Sequence, residues 1–251
     1  MKKAIWKNTL FTLAAVVFMT VLWVIAWAAV GNELLVPSFS DTVKKFFLLW
    51  IDGGFWLAFL RTLLRVLFAF LFSGVLAVVT AVVAYLYPSF GKFFAPIIAV
   101  LRSTPVLAVS LILIVWTGAG VAPLLVAFLS LFPMLYTGLL SALFGVDKEW
   151  IEMSRAYKVP VKKQITQMYL PAVAPQTIRE AGAGLGFAVK LVVSAEVLVR
   201  TKNSLGGAIW DAQLYSEMPL LFALVAAACV LGFVFDCLGG TVGNAVERRL
   251  K

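Results

Sequence analysis

Residues 63–87 read LLRVLFAFLFSGVLAVVTAVVAYLY, and Arg65 is the one charged side chain in the run. An α-helix needs about 20 mostly apolar residues to cross a bilayer, and this stretch is long enough to do so. Pro88 and Gly91 follow closely and favour a turn. The stretch therefore predicts a membrane-spanning helix and places the chain among the all-α, polytopic membrane proteins.

The composition of the whole chain also predicts a membrane protein. Hydrophobic residues make up 63% of the 251 residues and charged residues 13%, whereas a soluble domain is nearer half apolar and about a quarter charged. A soluble core of this size could not hide so much apolar surface, so we expect a lipid bilayer around much of it. We attribute the net charge of +9 to cations on cytoplasmic loops rather than to nucleic-acid binding.

Five further runs resemble residues 63–87 in length and apolar character. We expect six spanning helices in one domain over residues 1–251, because no repeat, low-complexity tract or linker interrupts the chain. The first run is too long for the apolar region of a signal peptide and lacks a cleavage signature, which favours a retained helix. The six runs cover about residues 9–30, 63–87, 93–116, 123–143, 181–199 and 219–238.

The distribution of cations sets the expected orientation. With a cytoplasmic N-terminus, the inside segments carry Lys2, Lys3, Lys7, Lys92, Lys148, Arg155, Lys158, Lys162, Lys163, Arg179, Arg248, Arg249 and Lys251. The outside segments then carry Lys44, Lys45, Arg200 and Lys202, or two more if Arg61 and Arg65 are included. The positive-inside rule therefore predicts a multi-pass protein of the bacterial inner membrane with both termini in the cytoplasm.

Several kinds of chemistry are disfavoured by the residues present. The chain has no histidine, the commonest general base and metal ligand. It has no Gly-x-x-x-x-Gly-Lys-Ser/Thr loop, so any ATP and Mg²⁺ would be bound by a partner.

Cys229 and Cys237 lie on one predicted helix, about 12 Å apart by helical rise, which is too far for a disulfide. The glycines of residues 182–186 open an apolar run with no strand before it, which predicts close helix packing.

Two segments outside the predicted spans have their own pattern. Residues 31–60 are expected to form an outside connection with a short amphipathic piece at 41–50, and residues 144–180 a long cytoplasmic connection. In the second segment Asp147 suits an N-cap, and Trp150, Met153 and Tyr157 share one helical face. Pro160 and then Leu170-Pro171 are expected to end two short helices. From physics alone this pair either lies on an anionic inner leaflet or docks a soluble partner.

The sequence around Glu152 resembles the "EAA" loop of ABC-importer permeases. That pattern is Glu-Ala-Ala, three residues, Gly, nine residues, Ile, one residue, Leu-Pro. Glu152, Leu170 and Pro171 match it at the right spacing. Met153 and Ser154 replace the alanines, Met168 replaces the isoleucine, and Lys158 replaces the glycine.

The resemblance extends along nearly the whole chain in the family's order. Segments similar to the family's occur at residues 34–38 (LLVPS), 62–66 (TLLRV), 101–105 (LRSTP), and at Glu196 followed by 205–207 (LGG). The chain is most similar to the type I permeases of the nitrate, sulfonate, taurine and bicarbonate group.

This resemblance implies a non-catalytic transport subunit with three kinds of protein partner. It implies a pair of ABC ATPase subunits, an extracytoplasmic solute-binding protein and a second permease copy, for which we expect this same chain. ATP binding by the ATPases would drive alternating access. The expected ATPase-docking residues are Trp150, Glu152, Met153, Ser154, Tyr157 and Lys158.

Charged residues inside the predicted spans are candidates for the translocation path. Lys190 lies at mid-helix, where it cannot snorkel, so we expect it to face a partner or an aqueous path. Arg102 either lines the path or holds backbone carbonyls beside Pro105, and Glu196 and Asp236 are either interfacial or functional. The path residues are therefore Arg102, Pro105, Lys190 and Glu196. Two cations without a certain acidic partner favour an anionic solute such as a sulfonate, carboxylate or phosphate ester.

Three other functions stay open at this point. A membrane scaffold of an energy-coupling-factor vitamin transporter would also dock ATPases, although the spacing from Glu152 to Pro171 disfavours it. An intramembrane enzyme such as a lipid-modifying transferase would need catalytic groups that the predicted spans lack. A passive channel would not need ATP.

Overall fold

The computed structural model describes residues 2–250, with all side chains among them except those of residues 2–10, 12, 13, 107 and 250. All regular structure in this part of the chain is helical. The helices are α1 (Lys2–Val30), α2 (Phe39–Leu49), α3 (Gly53–Leu86), α4 (Pro88–Ser103), α5 (Val106–Phe144), α6 (Lys148–Ala156), α7 (Val161–Gln164), α8 (Leu170–Val199), α9 (Leu205–Leu214) and α10 (Met218–Leu250), and a π turn, Ile165–Tyr169, joins α7 to α8.

Four helical segments are long and apolar enough to cross a membrane. They are Gly53–Leu86, Ala108–Phe144, Val161–Val199 and Met218–Arg249, and Ala14–Val30 is a shorter apolar helix. The all-α, membrane-spanning class is confirmed, and the count of six spans stays a prediction.

The segment α5 is two helices divided at Gly118. This residue has φ +77° and ψ 167°, a conformation that L side chains rarely adopt. Val109 from the first part lines the same small cavity as Val126 from the second, so the two parts lie side by side. The predicted break between the third and fourth runs at Gly118 is confirmed.

The third predicted run is not one continuous helix. Thr104 has an extended backbone, φ −69° and ψ 125°, between α4 and α5. Pro105 explains the break, because a proline disfavours helical geometry in the residue before it. The run predicted at 93–116 is therefore divided between α4 and the first part of α5.

The helix α3 begins ten residues before its predicted start. Asp52 caps it by accepting a hydrogen bond from Gly54 N at 3.0 Å, and the ring of Phe55 then packs 5.5 Å from that of Trp50. Residues 53–60 were predicted to belong to a connection, and that prediction is wrong. The amphipathic piece predicted at 41–50 is confirmed as α2.

The predicted stop at Leu170-Pro171 is also wrong. The chain stays helical from Val161 to Val199, and the π turn widens it where Leu170 N donates to Ile165 O. The wide turn stands directly before Pro171, whose ring excludes the ordinary hydrogen bond to the carbonyl of residue 167. The connection between long helices is thus residues 145–160, rather than 144–180.

Two clusters of buried apolar side chains form the core. One lies at the end of the bundle that carries α9, which we call the α9 end, and includes Val66, Leu131, Val189, Val192 and Leu205. The other lies at the end that carries α6, the α6 end, and includes Ile98, Phe132, Tyr136, Met168 and Val173. Each cluster joins α5 and α8 to other helices, so these two helices form the centre of the bundle.

Glycines allow α8 and α10 to approach closely. A Cβ on Gly182 would overlap the backbone of Gly239, and a Cβ on Gly186 would lie 2.8 Å from Gly232 O. Gly184 faces the other side, where its Cβ would lie 3.2 Å from Leu135 Cδ2. The predicted packing role of the 182–186 glycines is confirmed.

Candidate functional site

The short helix α6 packs against the α6 end through a small number of side chains. Asp147 caps it by accepting from Glu149 N at 2.9 Å, and Ile151 packs against the core cluster of that end. Ser154 is buried, and its hydroxyl donates to Ile151 O at 2.8 Å. Ser154 was expected among the docking residues, and the structure instead places it on the side that packs against the body of the protein.

The opposite side of α6 presents large apolar side chains that are mostly exposed. Trp150 is 54% exposed, Met153 57% and Tyr157 79%. Glu152 is also exposed and forms no ion pair with any described residue. We call Trp150, Met153 and Tyr157, with Glu152 beside them, the α6 face.

Lys158 has a left-handed backbone at the C-terminus of α6. Its φ is +49°, Lys158 N donates to Arg155 O at 3.0 Å, and Val159 N donates to Ser154 O at 2.9 Å. These two bonds form a Schellman motif, in which glycine is the usual left-handed residue. This geometry gives a physical reason for the glycine of the "EAA" pattern. In this chain Lys158 adopts the left-handed conformation of the turn, although it is not glycine.

Arg102 and Pro105 lie where α4 meets α5. Arg102 is exposed and lines a cavity of about 290 Å³ together with Thr104, Ser130 and Phe187. Among the described residues it makes no hydrogen bond, so the structure does not support the alternative in which it holds backbone carbonyls. Pro105 supplies the break that ends α4.

Lys190 is exposed on α8 and forms no ion pair within the described residues. It lines a groove of about 360 Å³ between α8 and α10, together with Val193, Ser194 and Cys229. Phe187, one helical turn earlier, lines the cavity that holds Arg102. The two cations therefore border neighbouring concavities on one face, which we call the cationic face. Asp236 is exposed farther along α10.

Glu196 is fully buried instead of lying at an interface. Its carboxylate accepts hydrogen bonds from Thr62 Oγ1 at 2.9 and 3.1 Å and from Arg65 Nη1 at 2.8 Å. Gly206 N donates to the same carboxylate at 3.1 Å. Both carboxylate oxygens are occupied by these neighbours, so the structure places Glu196 away from any open path.

The same group of residues organises the start of α9. Leu205 N donates to Thr62 Oγ1 at 2.9 Å, and Gly207 N donates to Ser204 Oγ at 2.9 Å. A Cβ on Gly206 would overlap Glu196, so glycine lets α9 approach α8 this closely. We call Glu196, Thr62, Arg65 and the N–H groups of 205 and 206 the Glu196 network.

One feature of the sequence indicates this network. Arg65 is the lone charge in a long apolar run, and an intramembrane cation requires a partner. Glu196 was available on another predicted span, but their pairing could not be read from spacing because they are 131 residues apart.

Comparison with known proteins identifies the family. Residues 70–251 match the family model described as the binding-protein-dependent transport system inner membrane component. The chain belongs to this family. This membership confirms the resemblance to ABC-importer permeases found around Glu152, and relatives named for aliphatic sulfonate and taurine transport are among the proteins that the chain matches.

Individual relatives agree with this assignment. The chain is 30% identical over 156 residues to the putative aliphatic sulfonates transport permease protein SsuC of Bacillus subtilis (strain 168), which covers 62% of this chain and 55% of SsuC. It thus spans about half the length of that relative. It is 22% identical over 240 residues to the taurine transport system permease protein TauC of Escherichia coli (strain K12), covering 93% of this chain and 86% of TauC.

A solved structure supports the fold of this ABC permease. A crystal structure of an amino acid ABC transporter with histidines matches it with a TM-score of 0.57 at 16% identity, covering 84% of this chain and 98% of the other. At this identity the likeness concerns the fold alone.

Proposed function

We propose that this chain is the membrane subunit of an ATP-driven importer that moves a small anionic solute by alternating access. In this proposal a binding protein delivers the solute at the α9 end, two ATPase subunits dock at the α6 end, and a second copy of the chain completes the path. The 251 residues form one domain with six spans in the bacterial inner membrane, with both termini cytoplasmic. The observation that carries the proposal is the exposed apolar α6 face on a helix whose other side packs against the protein through Ile151 and Ser154.

The composition of α6 favours a protein partner over the lipid leaflet. Trp and Tyr are the side chains most enriched at the centres of protein interfaces, where they fill apolar pockets. Glu149 and Glu152 balance Lys148 and Arg155 on the same helix, so α6 lacks the cationic excess that attracts an amphipathic helix to an anionic leaflet. A groove on an ATPase accommodates this mixture of an apolar face and flanking charges of both signs.

Rigid packing allows force on α6 to reach the spanning helices. Ile151 packs into the cluster of buried residues at the α6 end, and Tyr85 Oη of α3 lies 3.2 Å from Tyr169 Oη in the π turn. Packed interiors move as units rather than deforming continuously. Closure of the two ATPases would therefore displace α3, α5 and α8 together.

The cationic face supports an anionic solute. Arg102 and Lys190 are both exposed beside concavities and have no acidic partner among the described residues. An unpaired cation at membrane depth is costly unless it faces water or an anion. The relatives named for aliphatic sulfonate and taurine transport favour a sulfonate over a carboxylate or phosphate ester.

The docking proposal is tested by introducing charge on the α6 face. Trp150→Glu or Tyr157→Glu should abolish binding-protein-stimulated ATP hydrolysis and uptake in proteoliposomes, because a buried unpaired carboxylate would weaken docking strongly. Lys148→Gln, an exposed change on the same helix, is the matched control and should retain both activities. Normal coupled transport by both glutamate variants would contradict the docking role of this face.

The same reconstitution separates the competing functions. An importer of this type requires ATP, the ATPase pair and the binding protein for uptake. Uptake without ATP would indicate a channel, and ATP-driven uptake without any binding protein would favour the energy-coupling-factor alternative.

A further inference from the structure

The short helix α2 lies across the α9 end and is fixed there by one side only. Thr42 and Leu49 are buried on that side, and Phe46 packs against the core cluster of the α9 end. The contacts of α2 are mainly with α10. Its orientation is therefore set by the body of the protein.

The other side of α2 exposes apolar side chains and two cations. Phe47 is 65% exposed and Leu48 57%, and Ile51, in the turn that follows α2, is 82% exposed. Lys44 and Lys45 are exposed along the same side, and Lys44 also forms a solvent-exposed ion pair with Asp41 Oδ1 at 3.4 Å, which is weak enough to exchange for a lipid phosphate. Exposed apolar groups of this size mark an interaction surface when they are contiguous.

Tryptophans flank this surface at the corner between α2 and α3. The rings of Trp50 and Trp56 are 5.4 Å apart, and the indole N–H of Trp56 donates to Trp50 O at 3.0 Å. Both rings are partly exposed, Trp50 by 37% and Trp56 by 40%. A tryptophan ring with one edge exposed to water and the other packed against apolar groups is typical of the membrane–water interface.

The apolar surface also continues into the side of α3. Leu57, Leu60 and Leu64 follow the corner at helical spacing, and each is about half exposed. They belong to a helix that is long and apolar enough to cross the membrane, and lipid is the solvent that suits such a side. The exposed side of α2 is thus continuous with the apolar side of a candidate membrane-spanning helix.

We propose that the exposed side of α2 is a lipid-binding surface that lies in the headgroup layer at the α9 end. Phe47, Leu48 and Ile51 enter the boundary between headgroups and acyl chains, and Lys44 and Lys45 bind lipid phosphates. A binding protein fits these observations less well, because it binds only transiently. Whenever it is dissociated, the same three apolar side chains would be exposed to water, whereas lipid is always present.

The test measures what surrounds α2 in the assembled transporter. Single cysteines replace Leu48 or Ile51 in a chain whose Cys229 and Cys237 are changed to serine, and each carries an environment-sensitive fluorophore in nanodiscs. The control is Lys202→Cys, an exposed site on the polar connection between α8 and α9 at the same end. Transport by each labelled complex is measured first, so only folded and active transporters are compared.

We expect a shallow spin-labelled lipid to quench positions 48 and 51 severalfold more strongly than position 202, with aqueous iodide giving the reverse order. Iodide quenching at 48 and 51 equal to that at 202 would overturn the proposal. So would protection that develops only when the binding protein is added, because that result would identify a docking surface for protein.

A second arm tests the lysines. In nanodiscs containing spin-labelled phosphatidylglycerol, Lys44→Gln with Lys45→Gln should weaken quenching at position 48 severalfold, because the lysines no longer enrich the anionic lipid beside α2. Spin-labelled phosphatidylcholine should quench the variant as it does the parent. Unchanged quenching by the anionic lipid would overturn the assignment of the two lysines to lipid phosphates.

Discussion

Replacing Lys158 with glycine should make the C-terminal turn of α6 more stable. Lys158 has φ +49° in a Schellman motif, and an L residue with a side chain pays about 1–2 kcal/mol in the left-handed region. Glycine avoids that cost but gains freedom in the unfolded chain, which offsets part of the benefit. A net gain of about 1 kcal/mol corresponds to about a fivefold shift in the local opening equilibrium.

Amide hydrogen exchange measures this equilibrium directly. Val159 N donates to Ser154 O at 2.9 Å, so its exchange requires the turn to open. We expect Lys158→Gly to slow exchange at Val159 by about fivefold in the purified chain. Lys158→Ala is the matched control, since it removes the same charge but keeps the Cβ that is unfavourable at this φ.

The two variants together decide between backbone and charge. If alanine slowed exchange as much as glycine, the lysine charge rather than the left-handed backbone would be the destabilising factor. If neither variant changed exchange at Val159, the turn would not be limited by residue 158, and our explanation of the family's glycine would be wrong.

Three further substitutions test other parts of the structure. Glu196→Gln should lower stability by about 3–5 kcal/mol, because it leaves Arg65 without its buried partner; the melting temperature in detergent measures this, and an unchanged value would contradict a stabilising network. Gly182→Leu should prevent normal packing of α8 on α10 and abolish the monodisperse gel-filtration peak, whereas Gly74→Ala, which meets nothing within 4 Å, should keep it. Lys190→Met should raise the concentration of anionic solute needed for half-maximal uptake at least tenfold, and unchanged affinity and rate would exclude a direct role.

The sequence predicted best those features that depend on local pattern. The apolar run at 63–87, the break at Gly118 and the shared face of Trp150, Met153 and Tyr157 each follow from spacing and from the properties of single residues. The structure agrees with all three. Lys158 was recognised from the family pattern alone, and only the backbone dihedral explains why that position matters.

The errors came where tertiary contacts overrode local signals. Pro171 was expected to end a helix, but a π turn accommodates it and the helix continues to Val199. Ser154 could not be assigned to the packed side of α6 before the position of the core was known. The partners of Glu196 lie on other helices, and no local rule connects them.

The Glu196 network also constrains the order in which the protein can be assembled. Thr62 and Arg65 are 134 and 131 residues before Glu196 in the chain. While the ribosome is still synthesising the intervening helices, α3 is already in the membrane and Arg65 does not yet have Glu196 as its ion-pair partner. A nascent chain stopped before residue 196 should therefore hold α3 loosely and be a substrate for membrane quality-control proteases, and completion of α8 is the step that commits the bundle to its final arrangement.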